Sequence, residues 1–144
     1  MAETIIKGIL GSLLFLCTLQ DLYKRKVYLW MMVLAAVMLV VCIVFTKEPV
    51  LTDRIGGMLI GIGVMILSKA TRGKIGMGDG YLLCVTGLGL GFWSNLELFA
   101  LGLFFAAILS ILLLILRVIQ RKSSIPFIPF LMIGYLILLA APTV

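Results

Sequence analysis

The chain has 144 residues, 63% of them hydrophobic, and a mean hydropathy of +1.28. Only 12% are charged, about half the share of a soluble domain, which excludes an ordinary water-soluble globule. The net charge of +6 does not describe a nucleic-acid surface, because nine of the twelve basic residues gather in three short segments between apolar runs. There is no histidine, which removes Ser-His and Cys-His catalytic pairs and His-Glu-x-x-His metal sites. Cys17, Cys42 and Cys84 each sit inside an apolar run with no Cys-x-x-Cys spacing, and read as small buried side chains. Acid–base chemistry in such a chain falls to carboxylates, and neither a metal nor a cofactor is expected.

The first apolar run covers residues 5–20, with Lys7 near its start. It carries no small-x-small cleavage signature and is read as a first transmembrane helix. Gly8, Gly11 and Ser12 make one side of it small, which suits a close neighbour. It ends in Gln20-Asp21-Leu22-Tyr23-Lys24-Arg25-Lys26. A second span over 27–45 is closed by Lys47-Glu48-Pro49. Leu51-Thr52-Asp53-Arg54 leads into a third span over 55–67, with Thr52 or Asp53 as candidate cap. Gly57 and Gly61 form a Gly-x-x-x-Gly packing face there.

Ser68 to Lys74 is the second basic connection, followed by Gly76-Met77-Gly78-Asp79-Gly80. From Asp79 the chain is apolar to Leu116, which is ~55 Å of helix and too long for one crossing of a ~30 Å hydrocarbon core. It must turn once, within the glycine-rich stretch 87–95. The fourth span is therefore short, and the fifth runs over 96–116. The third basic connection holds Arg117, Arg121 and Lys122. Ile125-Pro126-Phe127-Ile128-Pro129-Phe130 opens a sixth span ending near Ala141, with its prolines where a first helical turn tolerates them. The expected fold is all-α: one polytopic domain over 1–144 with six transmembrane helices.

Connections rich in Lys and Arg face the cytoplasm, so both termini are expected on the outer side. Glu3, Glu48, Asp53 and Glu97 then fall outside, and Asp21 and Asp79 alone fall inside. Each of these two acids could be a helix-terminus residue. Asp79 could cap the fourth helix, and Asp21 could pair with Lys24 or Arg25. A carboxylate at a helix C-terminus is disfavoured by the dipole, however, and ionisable residues in apolar segments are functional candidates. Residue-level physics leaves paired chemistry and two separate caps both open.

Gly76-Met77-Gly78-Asp79 resembles the Gly-x-Gly-Asp motif of intramembrane aspartyl proteases, and within them the chain is similar to the type IV prepilin peptidases and their preflagellin relatives. The run Asp21-Leu22-Tyr23-Lys24-Arg25-Lys26-Val27-Tyr28-Leu29 matches the family's first catalytic Asp and its basic loop. Ile125-Pro126-Phe127-Ile128-Pro129-Phe130, with Pro126, Phe127 and Pro129, matches its late Ile-Pro-Phe-Gly-Pro-Phe segment. Tyr28 and Leu29 stand where the family has Pro-Asn, and Tyr81 where many relatives have Lys. The resemblance covers the peptidase half only and implies cleavage without N-methylation.

It implies an aspartic endopeptidase of the cell membrane, acting at the cytoplasmic face on type IV pilin or pseudopilin precursors in pilus assembly or secretion. The partner is a prepilin-like single-helix membrane protein, which loses its short basic leader. Asp21 and Asp79 would share one proton, one activating water and the other donating to the scissile carbonyl. Gly76, Gly78 and Gly80 would give backbone flexibility and let substrate approach, and the connection before them would carry Asp79 toward Asp21. The basic loops would hold anionic lipid headgroups, while Tyr23, Tyr28, Trp30 and Trp93 read as interface anchors. The competing expectation is a membrane transporter or assembly subunit using the same acids for protons or cations.

Overall fold

A computed structural model of the chain describes residues 1–24, 28–46, 49–73, 75–117 and 125–141. They form six helices: α1 (Ala2–Lys24), α2 (Leu29–Val44), α3 (Leu51–Ala70), α4 (Met77–Leu90), α5 (Phe92–Ile115) and α6 (Ile128–Ala140). The fold is all-helical. Three helices, α1 from Glu3 together with α3 and α5, are long and apolar enough to cross a membrane, while α2 and α6 are apolar but shorter. The expectations for Arg25, Lys26, Lys47, Glu48, Lys74, Arg121 and Lys122 lie outside the described residues.

Several boundaries differ from the sequence reading, each for a local reason. The first helix runs on through Asp21 to Lys24, and Lys7 is carried inside it by an ion pair to Glu3 at 2.7 Å. The third begins at Leu51 with Val50 as N-cap, so Thr52 and Asp53 lie in its first turn and neither caps it. The turn expected over 87–95 shrinks to Gly91. At φ +82 this residue ends α4 and starts α5 in one step that a residue with a Cβ would resist. Phe92 to Asn95 are already helical.

Helix α4 lies at the centre, touching α1, α2, α3 and α5. Half of its fourteen residues are buried, so it needs no polar face. Its tightest partner is α3, and the contact is made by glycines from both sides. A Cβ at Gly57 would stand 2.6 Å from Gly87 O, and one at Gly61 would strike the backbone of Gly80 and Cys84. Asn95, fully buried, clamps this pair: its Nδ2 donates to Gly57 O and Leu83 O, both at 3.0 Å, and its Oδ1 accepts from the Thr86 hydroxyl at 2.7 Å.

The α3 C-terminus is a Schellman turn. The Arg72 N–H donates to Lys69 O at 3.1 Å and the Gly73 N–H to Ser68 O at 2.9 Å, with Arg72 itself left-handed at φ +53. Helix α6 packs between α1 and α5. The Tyr135 hydroxyl donates to Lys7 O at 2.6 Å, and Gly11 accommodates the Tyr135 ring. Gly8 meets nothing and Ser12 bonds back to Ile9 O, so the small face expected on the first helix reduces to Gly11. Outward positions such as Val37, Leu59, Phe104 and Leu136 are large and apolar.

Candidate functional site

Asp21 and Asp79 come to the same end of the bundle by antiparallel packing of α1 and α4. At the other end Gly89 of α4 lies against Leu10 and Ile6 of α1. From there to Asp21 is ~16 Å along α1, and from Gly89 to Asp79 is ~15 Å along α4. The two acids therefore arrive at matching height on touching helices, half-buried, each within reach of the other's charge. Cys17, one turn along α1, is buried and also feels Asp21. Thr18 adds a buried hydroxyl without a hydrogen-bond partner among the described residues, three residues from Asp21.

Asp79 is in the first turn of α4 and does not cap it. The N-cap is Gly76 (φ −63, ψ 125), whose carbonyl accepts the Asp79 N–H at 3.2 Å. The carboxylate folds back over this glycine, with Oδ2 2.9 Å from where a Gly76 Cβ would stand. The negative side chain thus lies at the positive end of the helix dipole. Asp21 is in the last turn of α1, where the dipole opposes it.

The motif glycines occupy three different settings. Gly76 is exposed and clears the carboxylate. Gly78 is half-buried within the first turn of α4. Gly80 is buried inside the helix, pressed on Met65 and near Gly61 O, where a side chain would force α3 and α4 apart. Gly80 is a packing glycine, a role the sequence did not reveal because a helical glycine and a flexible one read alike.

Around Asp21, Gln20 Oε1 accepts the Tyr28 N–H at 3.3 Å, joining the end of α1 to the start of α2. Tyr28 caps α2 with φ −78, and its hydroxyl accepts from Lys24 Nζ at 3.2 Å. Leu29 is exposed, and Tyr81 is partly buried against the core.

Pro126, Phe127 and Pro129 enter α6 beside α5. Phe127 meets Phe99 edge-on at 6.3 Å and lies against Gly102, and Pro129 is in the first turn of α6. Counting from Gly91, Gly102 and Asp79 lie at similar height, ~16–18 Å up α5 and α4. The segment is thus level with the acids but packed on a different helix.

Sequence reasoning missed three buried polar residues: Asn95, expected in a turn and found fully buried as the clamp between α3 and α4, and two more beside helix ends. Ser68 was read as the start of a polar connection and is fully buried at its root. Arg54 was read as part of a connection and is 1% exposed, bonding to the C-terminal carbonyls of α4. The only available signal for either was adjacency to a helix end. Comparison of the chain with protein-family models, with curated proteins and with solved structures finds no match.

Proposed function

We propose that this protein is an intramembrane aspartic endopeptidase of the prepilin-peptidase type, using Asp21 and Asp79 as a dyad. The observation that carries the reading is the convergence of these two acids, far apart in sequence, at one end of an apolar bundle. Two carboxylates within reach of each other's charge cannot both ionise cheaply, so the pair holds one proton. The ionised member takes a proton from water as that water attacks the scissile carbonyl. The protonated member donates to the carbonyl oxygen. The proton taken from water then passes to the leaving nitrogen as the tetrahedral centre collapses, its hydroxyl proton returning to the dyad and the new amino terminus leaving.

In this reading the chain crosses the cell membrane six times with both termini outward. Lys24, Lys69, Arg72 and Arg117 are exposed at the aspartate end, which supports placing that end at the cytoplasm beside anionic headgroups. Helices α2, α4 and α6, at ~24, ~21 and ~20 Å, fall short of a ~30 Å core. They would complete their crossings with flanking residues and a locally thinned bilayer. The substrate is a prepilin-like protein, cut where its basic leader meets its membrane helix.

The test is co-expression with a panel of prepilin-like substrates, following loss of the leader in membranes. The parent chain should cut, whereas Asp21→Asn and Asp79→Asn should each reduce cutting by at least about a thousandfold. Cutting that survives either substitution would remove the dyad. A folded parent that cuts nothing while conducting protons or cations would favour a transporter.

A further inference from the structure

Ser68 stands at the root of the connection between α3 and α4 and is fully buried. Its Oγ donates to Ile75 O at 2.5 Å, while its own carbonyl accepts the Gly73 N–H at 2.9 Å and the Thr71 hydroxyl at 3.2 Å. One residue therefore holds both the outgoing and the returning strand of the connection. Ile75 directly precedes Gly76, and Gly76 is the surface on which the Asp79 carboxylate rests, at 2.9 Å from the Cβ position. Gly76 also accepts the Asp79 N–H. The pin at Ile75 is thus one residue from the glycine on which the acid rests.

We propose that Ser68 is a positioning residue for Asp79: its hydrogen bond to Ile75 fixes the Ile75–Gly76 peptide and, through Gly76, the place of the Asp79 carboxylate relative to Asp21. The catalytic meaning of that placement rests on the peptidase reading, but the placement itself does not. Other contacts hold neighbouring parts. Gly80 against Met65 and Gly61 fixes the body of α4, and Ile75 packs its side chain on the core. Among the described residues, the Ser68 bond is the one that orients the Ile75 carbonyl.

Thr71 provides a matched control. Its hydroxyl donates to Leu67 O at 2.9 Å and Ser68 O at 3.2 Å, bonds that stay within the end of α3. Ser68→Ala and Thr71→Ala each remove one hydroxyl at the same helix end, but only the first deletes the bond to Ile75 O.

Two measurements test the proposal. The first is oxidative disulfide formation between Asp21→Cys and Asp79→Cys in membranes, mapped by mass spectrometry against the native cysteines of the parent chain. Adding Ser68→Ala should slow that disulfide by about tenfold, whereas adding Thr71→Ala should leave its rate within about twofold. The second is cleavage kinetics on a prepilin-like peptide. Ser68→Ala should lower kcat by about tenfold with KM within about twofold, and Thr71→Ala should leave both near parent values.

Equal disulfide rates with and without Ser68→Ala would overturn the proposal, as would equal kcat losses in the two alanine variants. A disulfide that never forms in the Asp21→Cys/Asp79→Cys chain would overturn it too, by removing the closeness on which it stands. If the disulfide responds to Ser68 while the parent cuts no substrate, the positioning role holds and the peptidase reading falls.

Discussion

Arg54 carries a full charge into an apolar bundle and is almost completely hidden there. Its guanidinium ties the α2–α3 connection to α4: Nε donates to Pro49 O at 2.9 Å, Nη2 to Thr46 Oγ1 at 3.1 Å, and Nη1 to Leu88 O at 2.9 Å. The bonds to Leu88 and Gly89 place a cation on the negative end of α4, where carbonyls have no helical partner. Removing it strands several buried acceptors at once, so Arg54→Met should lower stability by about 3 kcal/mol or more. Arg54→Lys should recover less than about half of that loss, since an ammonium cannot span a planar fork. Unfolding midpoints in detergent read this directly, and an Arg54→Met protein as stable as the parent would refute the role. Asp21 and Asp79 were legible as residues because an acid in an apolar run is rare. Arg54, Ser68 and Asn95 were not, because burial of a polar side chain depends on carbonyls supplied from distant positions.

At the scale of elements, the α3–α4 hairpin is the rigid unit that presents Asp79. Its rigidity comes from glycine meeting glycine, Gly57 and Gly61 on one helix against Gly80 and Gly87 on the other, which brings backbones closer than any side chain permits. Gly61→Ala would drive a Cβ into the Cys84 backbone and should cost roughly 2–4 kcal/mol. Gly63→Ala, on the same helix with nothing within 4 Å, should be neutral or stabilising by up to about 1 kcal/mol through helix propensity. Thermal unfolding of the two variants side by side checks the pair; similar behaviour would show that the glycine contact does not hold the helices. The Gly57-x-x-x-Gly61 face was readable from sequence. Its counterpart was not, because Gly80 lay within a motif that suggested flexibility and Gly87 within a stretch that suggested a turn. Both are helical, and the break falls on Gly91 alone.

For the whole molecule, the proposed orientation makes a prediction independent of chemistry. Arg72 and Trp93 are exposed at opposite ends of the bundle. A membrane-impermeant thiol reagent should label Trp93→Cys from outside intact cells and Arg72→Cys only in inverted vesicles. Labelling of both from one side would refute the six-crossing topology. The sequence by itself determined the helical class, the number of apolar segments, the end on which basic residues gather and the two acids worth pairing. Those properties follow from hydropathy, helix rise and charge placement, which are local or additive along the chain. Only the tertiary structure decided that α4 is central and touches α1, that Asn95 clamps α3 to α4, and that Ser68 and Arg54 tie connections down. Helix pairing is settled by which small residues let two backbones touch and which distant carbonyls a buried donor can reach, and neither is written in the period of a single helix.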